Sequence, residues 1–103
     1  MKTTDLFSNI DYGKKLQLAD LFYFTNHGEL TSFARLCNVL DYSKLETNKF
    51  LFYRYSGKLP ISLLFDDMER RQPNLTIGEF QEHMLKIQRD DICQFIADNI
   101  IKD

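Results

Sequence analysis

The residues with chemical potential come first: two adjacent acid pairs, two cysteines and two histidines. Asp66-Asp67 and Asp90-Asp91 have the composition of a general acid and base. Neighbouring helical residues point about 100° apart, however, so neither pair converges on one substrate atom, and both read as solvated helix surface or cap. His27 with Cys37 and His83 with Cys93 repeat a ten-residue offset. That offset does not match the short within-pair spacings of structural zinc sites, and both thiols fall on apolar helix faces, so they read as buried free cysteines. The chain shows no nucleophile-and-base signature and no glycine-rich phosphate loop. Neither catalysis nor a cofactor or metal is expected of it.

Composition narrows the class further. The 103 residues are 44% hydrophobic, 27% charged and 14% aromatic, the proportions of one folded domain and too apolar for a solvated tail. No apolar run exceeds four residues, as in Leu21 to Phe24 and Phe50 to Tyr53, so no membrane span or signal-peptide core is expected, and the expected location is the cytoplasm. A net charge of −2 without clustered Lys or Arg argues against a nucleic-acid binder. A helix-turn-helix made by the second and third helices is the distant alternative, weakened because Lys44, Lys49, Arg54 and Lys58 are spread around helix three. The charge is segregated: residues 1–58 carry eight basic and six acidic side chains, residues 59–103 five and nine. Such polarity suits a protein whose opposite faces meet oppositely charged partners.

Six helices must position these groups. Periodicity predicts the first over Lys14 to Thr25, stopped by Asn26-His27-Gly28. Thr31 is the expected N-cap of the second, whose inward stripe is Phe33, Leu36, Cys37 and Leu40. Ser43 and Glu46 form a capping box for the third, which Ser56-Gly57-Lys58 ends. Pro60 opens the fourth, with Ile61, Leu64, Phe65 and Met68 inward. Thr76 and Glu79 box the fifth, which buries Ile77, Phe80, Met84 and Ile87, and Asp90-Asp91 begin the sixth, with Ile92, Phe95, Ile96 and Ile100 inward. The Asn74-Leu75-Thr76 sequon is best explained by the capping role of Thr76. The division expected is an N-terminal extension over 1–13 and a domain over 14–103.

Helix three carries an excess of aromatic residues. If Leu45, Leu51, Phe52 and Tyr55 face inward, Phe50 and Tyr53 turn outward beside Lys49 and Arg54, the composition of an interaction hot spot. The competing expectation is that the segment around Leu6, Phe7 and Ile10 folds over them, or that Phe50 to Tyr55 is a short strand. Helix four has the opposite polarity, with Asp66, Asp67 and Glu69 outside its apolar stripe and Arg70-Arg71 next to them.

These segments resemble a family. Ser32-Phe33-Ala34-Arg35-Leu36-Cys37-Asn38-Val39-Leu40 resembles the helix-two motif of death domains, with Phe33 where Trp is usual. Ser56 to Asp66 is similar to the helix-three to helix-four junction of interleukin-receptor-associated kinase death domains. Leu75-Thr76-Ile77-Gly78-Glu79-Phe80 looks like the family's T-V-G-x-L start of helix five, and Lys86 to Ile92 resembles the K-L-G-R-D-D-V segment of Toll-receptor adaptors. The chain departs from the pattern in having no Trp, and Asp67 falls where helix four often carries one. Leu64-Phe65, Met68 to Arg71 and Arg89-Asp90-Asp91-Ile92 are also similar to death-effector domains, the alternative subfamily.

The resemblance covers roughly residues 14 to 101 and implies an all-α, six-helix antiparallel Greek-key bundle. It implies a non-catalytic cytoplasmic module that binds other death domains, adaptor or kinase, into homo- or hetero-oligomeric receptor-proximal complexes of innate immune or apoptotic signalling. Through the family's three asymmetric interfaces it would assign protein binding to Phe50, Tyr53, Arg54 and Lys58 on helix three, and to Asp66, Asp67 and Glu69 on helix four. Arg70 and Arg71 would serve at the following connection, and Arg89 and Asp90 at the start of helix six.

Overall fold

In the computed structural model, residues 1–23, 29–52 and 59–101 are described. A 3-10 turn at Phe7–Asn9 precedes six α-helices among these residues: α1 (Tyr12–Tyr23), α2 (Glu29–Val39), α3 (Lys44–Phe52), α4 (Pro60–Arg71), α5 (Ile77–Lys86) and α6 (Asp90–Asn99). The only extended pairing among the described residues is an isolated antiparallel bridge between Leu6 and Thr76. No described helix is long and apolar enough to cross a membrane.

Local chemistry explains where most helices begin. Asp11 caps α1, its carboxylate accepting from Gly13 N at 3.1 Å, which moves the start two residues ahead of the expected Lys14. The Ser43 hydroxyl accepts from Glu46 N while Glu46 accepts from Ser43 N, and Thr76 and Glu79 repeat the exchange at α5, so both capping boxes form as the sequence predicts. Pro60 occupies the first turn of α4, where its missing N–H leaves no intrahelical bond unmade. One cap is corrected: Thr31 lies inside α2, which already starts at Glu29. Thr25, the His27 loop, Tyr55 and the Ser56-Gly57-Lys58 stop fall outside the described residues.

Two helix ends use left-handed residues other than glycine. After α2, Asp41 has φ 63°, with Tyr42 N bonded to Cys37 O and Asp41 N to Asn38 O. After α5, Gln88 has φ 62°, with Arg89 N bonded to Met84 O and Gln88 N to Leu85 O. Each is a Schellman closure, and each delivers the next side chain, Tyr42 or Arg89, into the interior.

One core spans the bundle. α1 packs on α2 and α4, α2 also on α4 and α5, α3 on α4, and α5 on α6. The Cα radius of gyration, 12.8 Å, is what a single compact domain of about 100 residues has. The expected stripes of α2, α4 and α5 are buried, and that of α6 is buried except for the partly covered Phe95.

The N-terminal segment adds Phe7 and Ile10 to this core. Phe7 is fully buried, its ring 5.5 Å from that of Phe65 and 4.5 Å from that of Phe80. Its backbone N donates to Leu75 O, and the first-turn amides of α5, Ile77 N and Gly78 N, donate to Asp5 O and Thr3 O at 2.9 Å. The approach is close enough that a Cβ on Gly78 would lie 3.2 Å from Thr3 O, which is why glycine suits this position. The segment therefore packs against α4 and α5, not over the outer face of α3.

Candidate functional site

The structure separates the expected interface residues into buried ones and exposed ones. Phe50 is turned inward, 6.1 Å from the Phe33 ring and stacked 5.8 Å from Tyr42. Leu45 and Phe52, expected inward, are 73% and 71% exposed, and Leu51 is half-buried against the core. Leu45, Phe50 and Phe52 thus reverse the expectation, while Leu51 keeps it. The helix is apolar on several sides, and the rings of Phe33 and Tyr42 select Phe50 as the inward residue. Tyr53, Arg54 and Lys58 lie outside the described residues.

Asp67 is not a surface acid. It is buried, accepts from the Tyr42 hydroxyl at 2.6 Å and from Arg70, and pairs with Arg71 Nε at 2.8 Å. Arg71 also covers the Tyr42 ring at 4.5 Å and bonds Glu46 on α3. The group therefore joins the end of α2, the start of α3 and the end of α4. Burial alone would raise the Asp67 pKa, but the bonds from Tyr42 and Arg70 and the charges of both arginines hold it below the ordinary carboxylate value. Burial, then the bond to Asp67, drives the Tyr42 hydroxyl pKa upward. Tyr42→Phe is expected to cost about 1–2 kcal/mol, read as a lowered urea midpoint at unchanged slope.

Arg89 is corrected in the same sense. It was expected on the surface and has no exposed surface. Its guanidinium donates through Nε and Nη2 to Asp91, through Nη1 to Ser32 Oγ at 2.7 Å and through Nη2 to Leu21 O at 2.8 Å, and lies 5.5 Å from the Phe22 ring centre. The bond from Arg89 lowers the Asp91 pKa.

Asp67 and Asp91 give the fold an acid limit. Both bind protons less readily folded than unfolded, so falling pH favours the unfolded chain. Their contribution is complete above the ordinary carboxylate pKa of about 4 and is lost as pH falls through the depressed folded values. Urea midpoints measured from roughly pH 6 to pH 2 are expected to fall through this window, and less steeply in Tyr42→Phe.

Of the other expected site residues, Glu69 is tied to Lys15 at 2.6 Å, while Asp66, Arg70, Arg71 and Asp90 are exposed, even though Arg70 pairs with Asp67 and Arg71 with Asp67 and Glu46. Among the described residues no cluster of three or more His, Cys, Asp or Glu is placed to hold a metal. Cys37 is buried and free, and burial pushes its thiol pKa to about 11; Cys93 is free and half-buried.

No family model, curated protein or solved structure matches the chain.

Surface chemistry beyond the expected residues separates into two faces. On α3, Leu45, Lys49 and Phe52 follow i, i+4, i+7 on the side away from the core, flanked by exposed Lys44 and Asn48. On α1, Tyr12 and Leu16 are 74% and 43% exposed. They border a groove of about 120 Å³ against α4, also lined by Lys15, Ser62, Phe65 and Asp66. Exposed Asp20 lies one turn beyond Leu16 on the same flank. Tyr12 was missed because the expected helix began at Lys14; the Asp11 cap was the available signal.

Proposed function

We propose that the chain is a non-catalytic death-domain module that binds other death domains homotypically in the cytoplasm, building oligomeric receptor-proximal complexes of Toll/interleukin-type innate immune signalling. The observation that carries this reading is the agreement between motif and helix. The segments that resemble the family fall where helices start and where core stripes run: Phe33 to Val39 in α2 with Leu40 just after it, Pro60 to Leu64 opening α4, Thr76 to Gly78 opening α5, and Asp90 opening α6. The six-helix antiparallel Greek-key arrangement is part of the same proposal. Asp67 falls where the family often has Trp, and it is buried there.

One observation favours the death-effector alternative. Arg89 and Asp91, from the Arg89-Asp90-Asp91-Ile92 segment behind that resemblance, pair with each other as α6 begins.

Sedimentation velocity across salt concentrations, with binding measured against a panel of purified death and death-effector domains, tests the reading. Salt-sensitive self-association or capture of a death domain is expected, since charged faces guide the assembly. Selective capture of a death-effector domain moves the assignment to that subfamily. A chain that neither self-associates nor binds any member of the panel refutes the proposal.

A further inference from the structure

Residues 3–7 lie on the start of α5 as a bound peptide would. The capping box there satisfies the amides of Thr76 and Glu79, which leaves the first-turn donors Ile77 N and Gly78 N to carbonyls from elsewhere in the chain. Asp5 O and Thr3 O take them at 2.9 Å, Phe7 N donates back to Leu75 O at 2.8 Å, and Leu6 forms the antiparallel bridge with Thr76. Backbone bonds therefore set the register. One side chain supplies the anchor, the Phe7 ring between those of Phe65 and Phe80. Main-chain pairing plus an anchor pocket is how extended peptides are held at docking sites. The arm is also separable from the helix that follows it. Asp11 caps α1 from within the helix's own approach, and Ile10 before it is extended, at φ −64° and ψ 136°.

We infer that this cleft also receives residues 1–10 of a second copy, so that two chains exchange their N-terminal arms. The second copy is the occupant because its arm is identical and makes every bond and ring contact named above. Lys15 of the receiving chain, whose Nζ lies 3.2 Å from Ser8 O and 5.8 Å from the Phe7 ring centre, meets the incoming arm in the same way. Reciprocal exchange fills both clefts and closes as a twofold dimer. What favours the arm's own cleft is only its tether, worth an effective concentration of about millimolar for a short connection. Exchange therefore grows with protein concentration and wherever partial unfolding has released the arm. The contact uses none of the side chains that the resemblance assigns to protein binding, and it stands apart from the functional reading.

A disulfide trap reports the exchange. A Cβ on Gly78 would lie 3.3 Å from Thr3 Cβ, at the short end of what a disulfide spans. Two full-length chains, one Thr3→Cys and one Gly78→Cys, each also carrying Cys93→Ser to remove the half-buried thiol, are unfolded in urea, mixed and refolded together. Glutathione disulfide is added only after refolding, when Cys37 is buried. A heterodimer linked between positions 3 and 78 is expected, located by proteolytic mapping, and its share rises roughly tenfold for a tenfold rise in protein concentration from the micromolar range. One chain carrying both changes closes the same bond within itself at low concentration. Independently, a synthetic peptide of residues 1–10 added to full-length Phe7→Ala is expected to raise its urea midpoint progressively with peptide concentration, whereas the same peptide with Phe7→Ala does not.

A mixture that forms no link between positions 3 and 78 of different chains at any concentration up to millimolar overturns the inference. A double variant that fails to close overturns it too, since the arm is then not docked on α5. So does a Phe7→Ala chain that ignores the peptide, or one that responds equally to the peptide lacking the ring. Each of these results leaves the functional reading standing.

Discussion

Phe7→Ala is expected to leave a large fraction of the chain unfolded without denaturant. The ring is completely enclosed, with Phe65 edge-on at 5.5 Å, Phe80 at 4.5 Å and the Lys15 ammonium 5.8 Å from its centre. Truncating such a phenylalanine costs about 3–5 kcal/mol, combining lost transfer energy with the cavity left behind. A domain of this size has roughly 5–15 kcal/mol in total, and small domains lie toward the lower end. The loss is thus comparable to the whole stability. Deleting residues 1–10 is expected to be worse, because it also strips the backbone carbonyls of Thr3 and Asp5 from the first-turn amides of α5, leaving donors that only water can then satisfy. Urea unfolding followed by circular dichroism measures both, with Tyr12→Ala as an exposed control expected to stay within about 0.5 kcal/mol of wild type. A Phe7→Ala loss no larger than that control would show that the N-terminal segment is an appendage and not part of the core.

The segment illustrates which parts of this fold a sequence reader can see. Helices α4, α5 and α6 were legible because a single apolar stripe follows one helical face, and Ser43, Pro60 and Thr76 each mark a start by chemistry local to four residues. Helix α3 was legible as a helix but not in its orientation. Leu45, Phe50, Leu51 and Phe52 surround its axis, and only the Phe33 and Tyr42 rings, brought in by tertiary packing, decide which of them turns inward.

The buried charges were hidden for a different reason. Asp67 and Arg89 have the residue types of a surface, and besides their neighbours Arg70, Arg71 and Asp91, the groups that make their burial tolerable lie 25, 57 and 68 positions away, at Tyr42, Ser32 and Leu21. The turns that deliver Tyr42 and Arg89 carry Asp41 and Gln88 in the left-handed conformation where glycine would have been the visible sign. Of the candidate interface, the polarity between faces was legible. The membership of those faces was not, because two of the eleven residues assigned to it, Asp67 and Arg89, are buried, and Phe50 is partly buried against the core.

Arg89 supplies the second large expectation, one in which the smaller side chain matters more. Removing Asp91 (Asp91→Ala) strands the positive charge of a fully enclosed guanidinium. Breaking a buried pair from this side costs about 3–5 kcal/mol; with the Asp91 side chain 45% exposed, water reaches the gap and places the loss near the lower figure. Arg89→Met removes the charge while keeping most of the volume. It leaves the Ser32 hydroxyl and the Leu21 carbonyl without this donor, at about 1–3 kcal/mol, and the hydroxyl can rotate toward a carbonyl of its own helix. Asp91→Ala is therefore expected to destabilise more than Arg89→Met. In the double variant no stranded charge remains, so its cost should approach that of Arg89→Met alone, a clear departure from additivity. A cycle of urea midpoints measures this directly. Costs that simply add would mean that Asp91 does not compensate Arg89, and that the cation is held by Ser32, Leu21 and the Phe22 ring alone.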